Sequence, residues 1–320
     1  MATFRDNYAL GVDVSAYNPV VEWHTLKQGG VSFAFARSSY GVNKDDSFAG
    51  HVQGAYDAGI PMIAYHALEP GYYFDALQTL DKANDIDKWL PASMDAQFQA
   101  MKQALSHKRL YGLAVDFELV KDWDGNVLTD IWLWTILKQF CKRVKAAFPQ
   151  YPLMVYTAGW VVWSYCKTIE NMGGVPDTFL WVAHYPHDTT VISTNWDELK
   201  KYYPPETMTI SFPDGKRQTQ NPPFLGWSGW KFWQFSGDKF KLPGVKTAQG
   251  QPSVVDLNFY NGTKAQLYQF LGFTEQSSDG STGGGGEVQP PVPSDGSELL
   301  QSIDGTLKQI LALLKDVYKR

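Results

Sequence analysis

The amino-acid sequence predicts an α/β fold, a flattened TIM-like (β/α) barrel, over residues 1–273. Eight short apolar runs have the length and composition of buried strands, and helical patterns lie between most of them. Alternating strands and helices are typical of a largely parallel sheet, and eight such strands suffice to close a barrel or nearly to close one. Beyond residue 273 the composition changes abruptly, which predicts a separate C-terminal part of the chain.

The candidate strands are short and rich in β-branched and aromatic residues. They cover residues 8–14, 31–36, 60–66, 110–117, 151–157, 178–185, 230–235 and 253–258. The clearest helical patterns cover residues 47–58, 93–107, 129–148 and 263–271. Two connections, 67–109 and 186–229, are longer than a minimal barrel requires, and loops of this length are usually functional or carry their own structure.

Composition excludes several classes of function. The net charge is −5 and no basic stripe is present, which argues against nucleic acid as a partner. The chain has 12 Trp, 17 Tyr and 18 Phe, enough for a large core and also for a carbohydrate groove. Of two cysteines, Cys141 lies in a helical pattern and is predicted to be a buried thiol. The six histidines have no metal-binding spacing, so we expect neither a metal nor another cofactor.

The N-terminal residues lack the charged, apolar and small-residue succession of a signal peptide, and no run of 18 apolar residues occurs. We therefore expect synthesis in the cytoplasm. Any action outside the cell would then require release or delivery by another route.

Acidic residues follow apolar runs at three places. "LAVDFEL" (113–119) carries Asp116 and Glu118, "GVDVS" carries Asp13, and "VVDLN" carries Asp256. Because strand ends distant in sequence converge on one mouth of a barrel, we expect these four carboxyl groups to meet there. Crowding and burial raise the pKa of at least one of them, which creates a general acid at neutral pH. The alternative is a pair of surface acids on a fraying strand end.

A protonated acid beside an ionised partner is the pair that cleaves glycosidic bonds. Asp116 and Glu118 are two residues apart, so on a strand they face the same side, separated by about 6.6–6.8 Å along the chain. This spacing does not decide between direct displacement and water-mediated inversion. A third route, attack by an N-acetyl group of the substrate with the aspartate steadying it, also fits the pair.

Eight segments resemble glycoside hydrolase family 25, which comprises bacterial and phage lysozymes, endolysins among them, that cut the β-1,4 bond after N-acetylmuramic acid in peptidoglycan. The segments span about residues 8–272 and occur in the family's order. They are "GVDVSAYN", "FAFARSSYG", "DDSFAGHVQGAYDAGIPMIAYH", "LAVDFEL", "LMVYTAGW", "LWVAHY", "KFWQFSG" and "VVDLNFYNG".

The resemblance implies a role for each acid. Glu118 matches the general acid, Asp116 the acid that stabilises the developing positive charge, and Asp13 and Asp256 the acids of the first and last strands. Five further residues match positions in the substrate groove: Tyr65, His66, Tyr156, Trp233 and Gln234. Core packing is the alternative for Tyr65 and Trp233, and a structural hydrogen bond is the alternative for His66.

The resemblance also has a departure and two rivals. After the second strand the chain reads "RSSYG" (37–41) where the family has a sequence similar to "KATEG", so family contacts on that rim do not carry over. One rival is a catalytically silent glycan-binding module of the same fold. The other is a chitinase-like barrel hydrolase with the same D-x-E pair.

The last part of the chain reads as a Gly/Ser/Pro linker (274–297) and an amphipathic helix of coiled-coil type (298–320). Apolar residues repeat there with spacings of 3, 4, 3, 4 and 3: Leu300, Ile303, Leu307, Ile310, Leu314 and Val317. Leu at a with Ile or Val at d favours more than two strands, so we expect a homotrimer or homotetramer. A component of a phage or secretion particle and a membrane surface are the alternative partners.

Self-association of this helix is testable in solution. Light scattering of the full-length protein at micromolar concentration should give a trimeric or tetrameric mass. The double substitution Leu307→Glu and Ile310→Lys should give a monomer, because it places charges in the apolar seam. A monomeric mass for the unmodified protein would leave docking to a partner as the better interpretation.

Overall fold

The computed structural model describes residues 7–71, 86–121, 127–185, 191–192, 195–199, 210–211, 217–218 and 222–275. Within these residues the fold is a closed barrel of eight strands, and all eight strands predicted from the sequence are confirmed. They are β1 (Ala9–Val14), β2 (Val31–Tyr40), β3 (Met62–Ala67), β4 (Gly112–Asp116), β5 (Leu153–Ala158), β6 (Phe179–Ala183), β7 (Trp230–Lys246) and β8 (Pro252–Tyr260).

Strand order follows the chain around the barrel, with one reversal. Strands β1 to β6 each run parallel to the next strand in the chain. Strand β8 lies between β7 and β1 and is antiparallel to both, with Ala9 opposite Tyr260 at the closing seam. The barrel is therefore mixed.

The short connection between β7 and β8 explains this reversal. Five residues, 247–251, join the two strands, and the Thr247 amide donates to the carbonyl of Gln251 (2.8 Å) to close the turn. A tight turn joins antiparallel strands, whereas a parallel neighbour requires a crossover of a dozen or more residues. The expected TIM-like pattern, in which every strand is parallel, is thus corrected at the last strand.

Helices fill most of the connections on the outside of the barrel. They are α1 (Trp23–Gln28), α2 (Phe48–Asp57), α3 (Ile86–Leu105), α4 (Asp130–Ala147), α5 (Gly159–Tyr165), α6 (Thr168–Asn171), α7 (Trp196–Leu199) and α8 (Lys264–Leu271). The four predicted helices correspond to α2, α3, α4 and α8. Helix α8 is bounded by a capping box, in which Thr263 and Gln266 exchange hydrogen bonds, and by Gly272 in the left-handed conformation.

Further two-residue strands are present in the described part of the chain. They are Val20–Val21, Asn43–Lys44, Val191–Ile192, Ile210–Ser211 and Arg217–Gln218. Asn43–Lys44 pairs with the end of β2 and extends the sheet beyond the barrel wall.

Aromatic rings pack the interior of the barrel. Phe35 stacks on Trp181 with ring centroids 3.7 Å apart, and Phe232 contacts both Phe33 (5.2 Å) and Phe35 (5.1 Å). All four rings are buried. Aromatic residues therefore form a large part of the buried core of the barrel. The predicted buried thiol of Cys141 is confirmed.

Several expectations fall on residues outside the described ranges. The long connection 67–109 includes residues 72–85, which are not described, and the long connection 186–229 is described only in part. Residues 276–320 are also outside, so the coiled-coil helix and its oligomer stay predictions. Within the described ranges, no helix combines the length and apolar character needed to cross a membrane.

The seam between β1 and β2 leaves no room for a side chain at Gly11. A Cβ atom there would lie 2.4 Å from the buried ring of Phe33, so Gly11→Ala should lower the free energy of unfolding by about 1–3 kcal/mol. Gly50→Ala in α2 is the matched control, because its Cβ would meet no atom within 4 Å and alanine favours a helix. Urea unfolding of both variants measures the difference, and equal stabilities would contradict the tight seam.

Candidate active site

The end of β4 brings two acids to the open end of the barrel. Strand β4 is buried up to Val115 and ends at Asp116, and the next amide, of Phe117, donates to the carbonyl of Tyr156 on β5 (2.9 Å). Glu118 therefore lies just beyond the paired strand, in the loop that follows it. Asp116 is on the strand and Glu118 is not, so the spacing predicted for two residues of one strand does not apply to this pair.

Asp13 and Asp256 lie side by side on the neighbouring strands β1 and β8, where they are register partners. The side-chain amide of Gln234, on β7, donates to both: Nε2 is 3.0 Å from Oδ2 of Asp13 and 3.3 Å from Oδ2 of Asp256. Asn258 Nδ2 also donates to Asp13 (2.7 Å), and the backbone amide of Asp238 donates to Asp256 (2.6 Å). Both carboxylates are thus fixed by amide donors.

The position of Asp256 corrects one step of the sequence argument. The sequence predicted that this acid stands at the C-terminal end of a parallel strand. Instead Asp256 lies in the middle of an antiparallel strand, and it reaches the open end of the barrel because the register places it opposite Asp13. The four acids do converge. Asp13, Asp116 and Glu118 do so at the ends of parallel strands, whereas Asp256 does so through its pairing with Asp13.

The other face of the Gln234 amide receives two phenols. Its Oε1 accepts from the hydroxyl of Tyr156 (2.8 Å) and from that of Tyr185, which stands just beyond β6. Tyr65, on β3, contacts Trp181 edge-on (5.8 Å between centroids). Burial raises the pKa of its phenol, and nearby Asp13 and Asp116 add to the shift. The predicted residues Tyr65, Tyr156 and Gln234 therefore all lie with the acids.

Burial is the main cause of the perturbed pKa values in this cluster. It raises the pKa of Asp13 to about 6, although hydrogen bonds from Gln234 and Asn258 act in the opposite direction. Burial also raises the pKa of Asp116 and Asp256 well above the ordinary value, and neighbouring acids add to both shifts. The four carboxyl groups therefore hold protons at pH values where isolated carboxyl groups are ionised.

Glu118 combines an exposed position with a partly desolvated carboxyl group. Much of the residue's surface is open to solvent, yet the surrounding walls remove enough water to raise its pKa. Solvent at the rim limits the size of this shift. A carboxyl group that keeps its proton and can still be reached by a substrate suits a general acid.

A cavity of about 480 Å³ adjoins Asp116 and Glu118 on the side of β2. Arg37 forms part of its wall and donates from Nε to Asp45 (2.9 Å), whose side chain is fully buried. The positive charge of Arg37 opposes the rise in the pKa of Asp116. The other lining residues are Ala16, Tyr17, Tyr40, Lys44, Asp46, Ala67, Leu68, Glu69 and Leu119.

Two predicted site residues are packed away from the acids. Trp233 is 2 % exposed, packs edge-on against Phe235 (6.3 Å) and donates from Nε1 to the carbonyl of His184 (2.7 Å). His66 is fully buried, stacks on Phe140 (5.0 Å) and shares a hydrogen bond with Ser39. Burial lowers the pKa of His66 to about 3, so its imidazole is neutral. These positions favour the packing alternatives for both residues.

Several residues of the cluster were missed by the sequence analysis. Tyr185 ends the segment predicted as a strand, and its position just past an apolar run is the signal shared with the acids. Asn258 follows Asp256 by two residues on β8, so the alternation of side chains along a strand places both on one face. No comparable signal marks the pair Arg37 and Asp45. In the ranges that the structure describes, no group of His, Cys, Asp or Glu residues has the arrangement of a metal site.

A closed barrel with clustered carboxyl groups beside an open cavity has the architecture expected of a glycoside hydrolase. The model for the family "Glycosyl hydrolases family 25" matches residues 12–245, which is most of the chain. The chain belongs to this family, whose members are lysozymes (muramidases), and it is a glycoside hydrolase of that type. The family implies bacterial peptidoglycan as the substrate.

Known relatives agree with this assignment. The chain is 25 % identical to "Lysozyme M1" of Streptomyces globisporus over 264 residues, which cover 80 % of this chain and 69 % of the relative. The fold is similar to that of a bacterial lysozyme from Streptomyces coelicolor (TM-score 0.54, 21 % identity, 82 % of this chain and 96 % of the other). It is also similar to the catalytic domain of endolysin ply40 from the Listeria monocytogenes bacteriophage P40 (TM-score 0.50, 19 % identity, 83 % and 98 %).

The buried carboxyl group of Asp116 should lower stability increasingly as pH rises. Its Oδ1 is buried without a hydrogen-bond partner in the described structure, and its pKa is raised in the folded state. Above the unfolded pKa of 3.8, the unfolded state releases this proton first, so folding loses up to about 1.4 kcal/mol per pH unit until the folded pKa is passed.

Asp116→Asn removes this ionisation while keeping the shape. The melting temperature of the variant should equal that of the unmodified protein near pH 4 and exceed it increasingly as pH rises, until the folded pKa of Asp116 is passed. Thermal unfolding followed by circular dichroism measures the difference. A difference independent of pH would show that Asp116 titrates normally in the folded protein.

Proposed function

We propose that the chain hydrolyses the β-1,4 bond between N-acetylmuramic acid and N-acetylglucosamine, with Glu118 as general acid and Asp116 as the group that stabilises positive charge. One observation carries this proposal: both carboxyl groups line a single cavity, burial raises the pKa of both, and the charge of Glu118 raises the pKa of Asp116 further. A pair that holds about one proton between its members supplies an acid and a base at the same pH.

The proton must be on Glu118 when the substrate is bound. Glu118 is the more exposed of the two and lies beyond the end of β4, where a glycosidic oxygen can reach it. The sugar ring beyond that oxygen gains positive charge as the bond breaks. Donation from Glu118 therefore neutralises the leaving oxygen at the moment when it would otherwise carry negative charge.

Asp116 must be ionised at the same moment. Its pKa is raised in the free protein, but a cation developing on the substrate favours the ionised form, and Arg37 acts in the same direction. The interaction between Asp116 and the substrate is consequently strongest in the transition state. A group that acts in this way raises turnover more than it tightens binding.

Asp13, Asp256 and Gln234 support the reacting pair from the opposite side of the barrel. The charges of Asp13 and Glu118 also help to keep the neighbouring carboxyl groups protonated. Tyr65 and Tyr156 present phenol groups beside Asp13 and Asp116, where they are positioned to bind sugar hydroxyl groups. Trp233 and His66 contribute by packing behind the strands that carry these residues.

Glu118→Gln tests the assignment of the acid, because it keeps the shape of the side chain and removes the proton. The rate of cleavage of purified cell walls, measured by loss of turbidity, should fall by about 10²–10⁴-fold. Glu22→Gln is the control, since Glu22 forms a surface ion pair with Lys246. Near-normal activity of a folded Glu118→Gln protein would remove Glu118 from this role.

The products and the pH profile complete the test. Analysis of the new reducing ends should find muramic acid; glucosamine would indicate a chitinase-like specificity. For the unmodified protein, activity should decline as pH rises through the raised pKa of Glu118, because the proton to be donated is then lost.

A further inference from the structure

The end of β2 forms the cavity wall that carries Arg37, and it is anchored by hydrogen bonds that do not involve the reacting acids. The β2–β3 pairing shifts register between Arg37 and Ser39, which is where a bulge redirects side chains. Ser38 and Ser39 are buried and anchor this irregular stretch, since the Ser38 hydroxyl donates to the carbonyl of Tyr65 (2.8 Å) and Ser39 bonds to His66. The stretch is thus firmly held while Arg37 lines the cavity.

The guanidinium of Arg37 is fixed before any ligand arrives. Asp45 accepts from its Nε, and Asp45 is itself held by the backbone amides of Ala16 and Ser47, each 3.0 Å away. The rings of Tyr17 and Tyr40 flank the cation, 5.2 and 4.9 Å from its central carbon. An ordered guanidinium loses little further conformational entropy when it binds a partner.

Donors remain available on this group. Within the described residues, the hydrogen bond of the Arg37 guanidinium is the one from Nε, so its two terminal nitrogens are left for a ligand. Lys44 lies exposed on the same wall and adds a second positive charge. The planar fork of an arginine matches the two oxygens of a carboxylate.

The acids that share the cavity do not cancel these donors. Asp45 is compensated by Arg37 and two backbone amides, and Asp46 lines the same cavity as the positively charged Lys44. Burial raises the pKa of Glu69 and Asp116, so both carry less negative charge than ordinary acids at the same pH. The wall around Arg37 is therefore the part of the cavity best suited to an anion.

We propose that Arg37, flanked by Tyr17 and Tyr40 and assisted by Lys44, binds a carboxylate of the peptide stem that peptidoglycan carries on its muramic acid. This inference rests on the proposed function, which supplies the polymer. The stem is attached to the sugar whose bond is cut, and Arg37 lines the same cavity as Asp116 and Glu118. Recognition of the stem would let the protein distinguish muramic acid from an unsubstituted sugar.

Three forms of soluble glycan strand test this inference with the full-length protein. The first has intact stems, and the second has the same stems with their carboxylates converted to amides by carbodiimide and ammonia. The third has no stems and carries the free lactyl carboxylate of the sugar. The unmodified protein should cleave the first about tenfold faster than the second, because hydrogen bonds to charged groups contribute on this order.

Arg37→Lys should reduce this preference severalfold, because lysine keeps the charge but loses the fork that pairs with both oxygens of a carboxylate. Arg109→Lys is the matched control: Arg109 also lies over a tyrosine ring, that of Tyr56 (4.2 Å), but precedes β4 at the opposite end of the barrel. It should keep the tenfold ratio. If Arg37→Lys is poorly folded by circular dichroism, Lys44→Gln should reduce the ratio by a smaller factor.

Each result with the three strands and the Arg37 variant has a distinct interpretation. No preference in the unmodified protein, or an undiminished preference in Arg37→Lys, would overturn the inference. A preference for the third strand that depends on Arg37 would assign the site to the lactyl carboxylate instead. An equal loss on all three strands would show that Arg37 acts on the sugars or on Asp116.

A failure of the proposed function has a different signature, which is the absence of cleavage of any strand. In that case the preference between the three strands is measured as a difference in binding affinity. Calorimetry of the Glu118→Gln protein with the three strands measures it without cleavage, and equal affinities for the first and second strands would exclude stem recognition.

Discussion

The site depends on one amide group, that of Gln234, at the centre of the open end of the barrel. Its nitrogen faces Asp13 and Asp256, and its oxygen faces Tyr156 and Tyr185. The opposite orientation would place the amide oxygen against two carboxyl groups, so the amide has one stable arrangement. Through this group, side chains from β1, β5, β7, β8 and the loop after β6 are held in register.

A cluster of this kind opposes the stability of the fold that carries it. Burial raises the pKa of every acid in the cluster, and repulsion adds to the shifts of Asp13, Asp116 and Asp256. The ionised form of each acid would therefore be more stable in water. The aromatic layer beneath, including Phe35 stacked on Trp181, supplies apolar burial that offsets this penalty. Burial of aromatic rings in the core thus offsets the free-energy cost of keeping these acids buried with raised pKa values.

The sequence predicted the strands well because an apolar run between turn residues has few other structures open to it. It also predicted which acids would meet, since apolar runs that end in acids are uncommon. Strand direction was the part it misjudged: the five residues between β7 and β8 are too few for a crossover, but β7 extends to Lys246, well past the predicted end at 235. With the strand end misplaced, the turn could not be recognised.

The substrate-binding residues were harder to predict for a related reason. Trp233 and Gln234 are neighbours on one strand, and because side chains alternate, only one of them can face the acids. The family resemblance named both. Arg37 and Asp45 were missed because their contact is made by a register shift and a short added strand, which leave no periodic pattern in the sequence.

The closing seam between β1 and β8 has a consequence for how the protein comes into being. Ala9 pairs with Tyr260, so the last neighbour of the first strand lies near the C-terminal end of the domain. Contacts between such distant parts of a chain form late and slowly, and during synthesis on the ribosome the first strand has an unpaired edge. Asp13 and Asp256 face each other across that same seam. A chain that stops before β8 lacks both Asp256 and the Asn258 amide that donates to Asp13, so it cannot complete the site.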